Sequence, residues 1–216
     1  MGANGDKKSK GELIMIGAIK SINLKKNKGV IILLNSGIRD KSNEAKIKQY
    51  EFDQRSLVRN LRFNDLCDRF ADIDVEFNAQ PNSRKVEIIT RVFENESSKF
   101  FRLNVLALNK DKYDEFCEHA ESYANRLKLG EVTTSMIRRI YSRIMSAQNV
   151  TDVKMLRPHF AYLSGRNEDK YILRGFMALL DDLVRSMEID NKKHLNNFKQ
   201  FLEAIVAYRK YVGDDK

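Results

Sequence analysis

The 216-residue chain has few residues of the kinds that build reactive sites. It has two cysteines, Cys67 and Cys117, with no Cys-x-x-Cys pair. That excludes a disulfide framework and the usual thiolate metal sites, and both residues read as free cytosolic thiols. The three histidines, His119, His159 and His194, are scattered without metal-ligand spacing. No glycine-rich phosphate loop occurs. Asp181 and Asp182 are adjacent carboxylates, but neighbours on a helix point apart and no base relay stands nearby, so the pair reads as a solvated acidic patch. No run approaches the ~18 apolar residues of a membrane span. Met1 to Lys10 lacks the apolar segment of a secretory signal, and Gly2 is followed by Asp6 where a myristoylation site takes Ser or Thr. These absences leave no catalytic residue, metal or cofactor to name, and the expectation is a soluble cytoplasmic protein that is not an enzyme.

Positive charge is abundant. Lysine and arginine number 39 against 30 acidic residues, a net +9 with a pI near 9.4. The excess lies at both ends of the chain: residues 1–93 hold 18 basic and 12 acidic side chains, and residues 131–216 hold 15 and 11. Residues 94–130 are close to balanced, with 6 and 7. Such a surplus in a cytosolic protein points to an anionic partner, nucleic acid first.

The pattern divides the chain into a polar tail expected to be disordered (1–11), a β region (12–93), a connecting linker (94–107) and a helical region (108–216). In the β region Ile14, Ile16, Ala18 and Ile22 alternate with other residues, and Lys25 to Gly29 turns into the apolar run Val30 to Leu34. Asn35-Ser36-Gly37 turns again, Tyr50 and Phe52 mark a short strand, and Asp74–Ala79 and Lys85–Ile89 alternate on either side of Pro81-Asn82-Ser83. Short strands separated by turn residues predict a small, nearly closed β-barrel.

Beyond Glu94 the period changes. Tyr113, Phe116, Ala120, Tyr123, Ala124 and Leu127 recur at helical spacing, with acid in the first turn and Lys128 and Gly130 at the end. Thr133 or Thr134 N-caps a helix striped by Ile137, Ile140, Tyr141 and Ile144, which puts Arg139, Arg143 and Ser146 opposite the stripe and Arg138 at its flank. Arginines four apart with no carboxylate between them repel one another unless something anionic lies there, and the N-terminal N–H groups suit a phosphate. Pro158 opens the next helix, Phe160, Tyr162 and Leu163 supply its apolar contacts, and Gly165 fits its C-cap. Tyr171 to Met187 is apolar nearly all round and predicts the most buried helix. Leu195, Phe198, Leu202, Ile205 and Tyr208 stripe the last, with Lys199, Arg209 and Lys210 outside. The sum is a bundle of five helices.

Three islands in the helical region carry a resemblance: Thr133-Thr134-Ser135-Met136-Ile137-Arg138, Tyr162-Leu163-Ser164-Gly165-Arg166 and Glu203-Ala204-Ile205-Val206-Ala207-Tyr208. In this order they resemble the Csm-type small subunit of type III-A CRISPR effector complexes, over about residues 108–213. The resemblance implies a non-catalytic filament subunit of antiviral defence. It would stack in copies beside the other subunits of the complex and hold crRNA and target RNA by phosphate and sugar. Arg138 and Arg166 match the family's basic positions. Arg139, Arg143, Lys154 and Arg157 join them as candidate backbone contacts from helical geometry and charge.

The β region is similar to a cold-shock-type OB fold by its order of elements, with Gly17-Ala18-Ile19-Lys20 and Lys28-Gly29 early on. It departs from that family at the stacking platform. Ser21-Ile22 stands where an aromatic pair is expected, and Val30-Ile31-Ile32 where Phe-Gly-Phe is expected. Tyr50 and Phe52 remain as candidate stacking rings, and Lys20 and Lys28 as candidate phosphate contacts. Two readings therefore stand beside the effector subunit: a docking module that has lost its platform, and a free-standing cold-shock-like single-stranded RNA binder or chaperone.

Overall fold

The computed structural model describes residues 14–34, 48–68, 72–80 and 83–213. The expected tail (1–11), the Asn35-Ser36-Gly37 turn, Pro81-Asn82 and the side chain of Cys67 lie outside the described residues. No helix among the described residues is long and apolar enough to cross a membrane.

Five strands form one curled antiparallel sheet: β1 (Ile14–Asn23), β2 (Lys28–Leu33), β3 (Gln49–Asp53), β4 (Ile73–Ala79) and β5 (Val86–Glu94). Their order is β3-β2-β1-β4-β5. The edges approach each other through two parallel bridges, Glu51 to Lys85 and Leu57 to Ile89, which curls the sheet into a half-barrel. A one-turn helix α1 (Asp65–Asp68) precedes β4. Period-2 alternation turns Ile19, Ile31, Tyr50, Phe52, Val75, Phe77 and Ile89 into the barrel's core. At the β1–β2 turn Asn23 caps a tight turn over Leu24–Lys26 and Asn27 takes the left-handed conformation, which asparagine tolerates.

The helical region comprises α2 (Glu96–Asn104), α3 (Tyr113–Leu129), α4 (Thr134–Ser146), α5 (Val150–Lys154), α6 (Arg157–Arg166), α7 (Tyr171–Ser186) and α8 (Lys192–Tyr211). The five helices expected from periodicity are α3, α4, α6, α7 and α8; α2 and the short α5 add to them. The segment expected as a linker, 94–107, holds α2, capped by Asn95. Its Phe100 and Phe101 are buried, and Phe101 meets the rings of Phe116, Tyr123 and Phe201. The polar start Glu94 to Ser98 hid this helix from the pattern. Gly130 stands at the C-cap of α3, as expected of a stop signal, with an ordinary negative φ. It is small because a Cβ there would come 2.7 Å from Cβ of Ile172 on α7.

Sheet and helices interlock. Ala18 and Ile32, on the outer face of the sheet, belong to the helical core, whereas Tyr171, the first residue of α7, belongs to the sheet's core and donates its hydroxyl to the Leu66 carbonyl. Lys20 reaches Glu131 in the α3–α4 connection at 2.5 Å.

The centre of this junction is a buried charge cluster. Asp72 and Asp74 project from the same side of the chain at the start of β4, against α2 and α3. Arg126 donates Nε to Asp72 Oδ1 at 2.8 Å, Nη2 to the Ile73 carbonyl at 2.8 Å and Nη1 to Asp74. Asp72 also accepts from the Tyr123 hydroxyl at 2.7 Å and from Ser98 Oγ at 2.5 Å, and Asp74 from Asn95 Nδ2 at 2.8 Å. Burial works to lower the Arg126 pKa, but the two carboxylates outweigh it and hold the guanidinium above its ordinary value. For Asp74 burial wins over the pull of Arg126, and its carboxyl is pushed up from the usual carboxylate value.

Two outcomes test this junction. Arg126→Ala, which leaves Asp72 buried without its counter-charge, is expected to lower stability by about 3–5 kcal/mol in chemical denaturation. A raised folded-state pKa means that Asp74 contributes stability below its ordinary value of 3.8, and that this is lost as pH rises through the raised value. Relative to Asp74→Asn, the parent chain should therefore be more stable at acid pH than at neutral pH.

Candidate nucleic-acid interface

Helix α4 begins where Thr133 Oγ1 accepts the Met136 amide at 3.3 Å. Ile137, Ile140 and Ile144 are buried and Tyr141 is half-buried, so the opposite side faces solvent. That side carries Ser135, Arg138, Arg139, Ser142, Arg143 and Ser146, all exposed. Ser142 and Ser146 fold their hydroxyls back onto the Arg138 and Arg143 carbonyls, at 2.9 and 2.8 Å. The arginines therefore stand above a floor of small side chains. The helix has no acidic residue, and among the described residues no ion pair within 4.0 Å engages Arg138, Arg139 or Arg143. Three unneutralised charges on two turns suit an anionic ligand.

The other candidates separate into available and engaged. Arg166 is exposed at the end of α6. Arg157 forms a two-pronged pair with Asp181 at 2.6 and 3.1 Å, and Lys154 donates to the Arg185 carbonyl at 3.3 Å. Both cations tie α5 and α6 to α7, beside an open apolar groove that includes Met155, Pro158, Ala161 and Ala178. The acidic patch expected at Asp181-Asp182 is instead two ion pairs, because Asp182 accepts Arg102 Nε at 3.0 Å.

On the half-barrel, Lys28 is exposed, while Lys20 is spent on Glu131. Tyr50 and Phe52 are 9% and 3% exposed, set against Phe77 and Phe63 inside the core, so neither presents a free ring face. The outward side of β1 and β2 is covered in part by the helices, through Ala18 and Ile32. Strand alternation decides this: residues 50 and 52 share the phase that points inward.

Other side chains sit differently from their pattern. Tyr162, expected among apolar contacts, is 58% exposed. Arg209, expected outside the α8 stripe, is buried and donates to the Val132 and Gly213 carbonyls at 3.0 and 2.8 Å. Lys199 caps the end of α4 through the Met145 and Ala147 carbonyls at 3.1 and 2.6 Å. Gly165 is not a C-cap: it lies within α6, whose C-cap is Asn167. His159 stacks nearly parallel to Tyr162, with centroids 6.3 Å apart, and its pKa is lowered by burial and then by the charge of nearby Arg143. The signal for Tyr162 was in the sequence. At ~100° per residue it lies with Pro158 and Arg166, across the helix from buried Phe160.

Residues 110–215, which span α3 to α8, match the family model described as Csm2 Type III-A. The helical half of this chain is a Csm2 type III-A domain. It is similar to the CRISPR system Cms protein Csm2 of Streptococcus thermophilus, 28% identical over 118 residues, covering 49% of this chain and 95% of that protein. No solved structure matches the chain. The Csm2 match includes Arg138, Arg139, Arg143 and Arg166 and excludes the half-barrel and α2, so the β region is an addition to the small-subunit domain of type III-A CRISPR systems.

A Cβ built at Gly165 meets nothing within 4 Å. Gly165→Ala is therefore expected to raise the stability of the isolated chain by about 0.5–1 kcal/mol, the ordinary gain of alanine over glycine in a helix. Thermal unfolding checks it, and a loss would show a packing role for the glycine.

Proposed function

We propose that this chain is a non-catalytic small subunit of a type III-A CRISPR effector complex and that it holds crRNA and target RNA by their backbones, without reading sequence. The observation that carries this reading is the outer face of α4, with Arg138, Arg139 and Arg143 unneutralised inside a Csm2 domain. Guanidinium groups match phosphate oxygens two at a time, and small neighbouring side chains let a sugar-phosphate chain come close. Arg166 extends the set, whereas Lys154 and Arg157 serve to hold α5 and α6 on α7. The subunit works in the cytoplasm beside copies of itself and the other subunits of the complex.

The β region is read as an OB-type barrel. Its strand order, together with the parallel approach of β3 to β5, supports that topology. Its role is read as a docking module fixed to the small-subunit domain. Against the free-standing cold-shock-like RNA binder stand the inward rings of Tyr50 and Phe52 and the outer sheet surface given over to the helices.

Replacing Arg138, Arg139 and Arg143 together by Glu is expected to weaken RNA retention at least ten-fold without lowering the unfolding midpoint. Because each lost phosphate contact takes about 0.7–0.9 from the slope of log affinity against log salt, the variant's salt dependence should flatten by about 2. Unchanged affinity and slope would overturn the reading.

A further inference from the structure

The exposed arc of α6 has a definite arrangement. Tyr162 occupies its middle. On one side stand His159 and Arg166, one turn before and one turn after it; on the other stand Ala161 and Gly165. Tyr162 is 58% exposed, and its ring runs within 17° of parallel to the His159 ring, which is half-buried. The two rings stand beside each other, 6.3 Å between centroids, and the tyrosine ring remains largely open to solvent. The small residues clear the approach: beyond a Cβ at Gly165 there is open space. Glycine in an exposed helix position is a local cost that neither a turn nor close packing explains here. Burial first, and then the charge of nearby Arg143 on α4, hold the His159 pKa below its ordinary value. Cations therefore lie at both ends of the ring pair, Arg143 on α4 and Arg166 on α6.

We infer that Tyr162, with His159 nearly parallel beside it, is a stacking platform for an unpaired RNA base, with Arg143 and Arg166 taking the flanking phosphates. This rests on the RNA-backbone reading and adds to it a contact with the base. An aromatic face accepts any base, so the contact keeps binding independent of sequence while distinguishing single-stranded nucleotides from a bare polyanion. It also explains Ala161 and Gly165: a larger side chain next to Tyr162 or one turn after it would occupy the space into which the base slides.

The test uses the full chain, with a short single-stranded RNA and inorganic polyphosphate as probes, the second carrying phosphate charge without bases. Tyr162→Ala should weaken RNA binding by about ten-fold, the size of one stacking contact. It should leave polyphosphate binding unchanged, and Tyr162→Phe should restore RNA affinity to within about two-fold. Gly165→Leu should likewise weaken RNA but not polyphosphate. Loss of both ligands together, no loss of RNA affinity, or loss of assembly with other subunits at unchanged RNA affinity would each overturn the inference. The α4 arginine reversal separates the two levels. If it weakens RNA binding and Tyr162→Ala does not, only the platform fails; if it has no effect, the reading beneath it fails as well.

Discussion

Arg126 holds the molecule together at the place where two architectures meet. It is 2% exposed, reaches Asp72, Asp74 and the Ile73 carbonyl, and sits on α3 while all three partners sit at the entry to β4. A buried guanidinium is tolerated only when its charge and its donors are met, so α3 can dock on the sheet in one register and orientation. Ser98 and Tyr123 complete the Asp72 carboxylate, which draws α2 into the same junction.

This constraint shapes the rest. With α2 and α3 fixed against β4, α7 runs between the two cores, its first residue Tyr171 in the sheet's cluster and its body in the helical one. A helix apolar nearly all round needs cover on every side, and here β1, α2, α3, α5 and α6 supply it. The sheet gives up part of its outer surface in return. A small barrel has one inner face and one outer face, and residues used to seat a helix cannot also present bases with rings. The β region therefore packs directly against the helical domain.

The basic face of α4 gains its meaning from what surrounds it. Arg157 and Lys154 look as available in sequence as Arg138 and Arg143, yet one is paired across to α7 and the other ends on a carbonyl. The difference lies in the neighbouring helix, where Asp181 faces Arg157, while among the described residues no carboxylate comes within 4.0 Å of Arg138, Arg139 or Arg143. Charge from distant segments decides which cations stay free.

Periodicity by itself determined the large divisions: strand alternation to Glu94, helical spacing from Tyr113, a threonine cap at 133 or 134, Pro158 in the first turn of α6 and a largely apolar α7. These follow from backbone geometry, which acts over a few residues and leaves its period in the sequence. The three islands identified the family for the same reason. Only tertiary structure decided the contacts between segments: α2 under a polar start, Arg209 turned inward to two carbonyls, Tyr50 and Phe52 turned into the core, and Tyr162 turned outward. Arg126 is the clearest case. Its position one turn after Tyr123 puts it on the apolar side of α3, but its partners lie more than fifty residues away. A charge is stable in that place because of those partners, and no local pattern along the chain records where they will be.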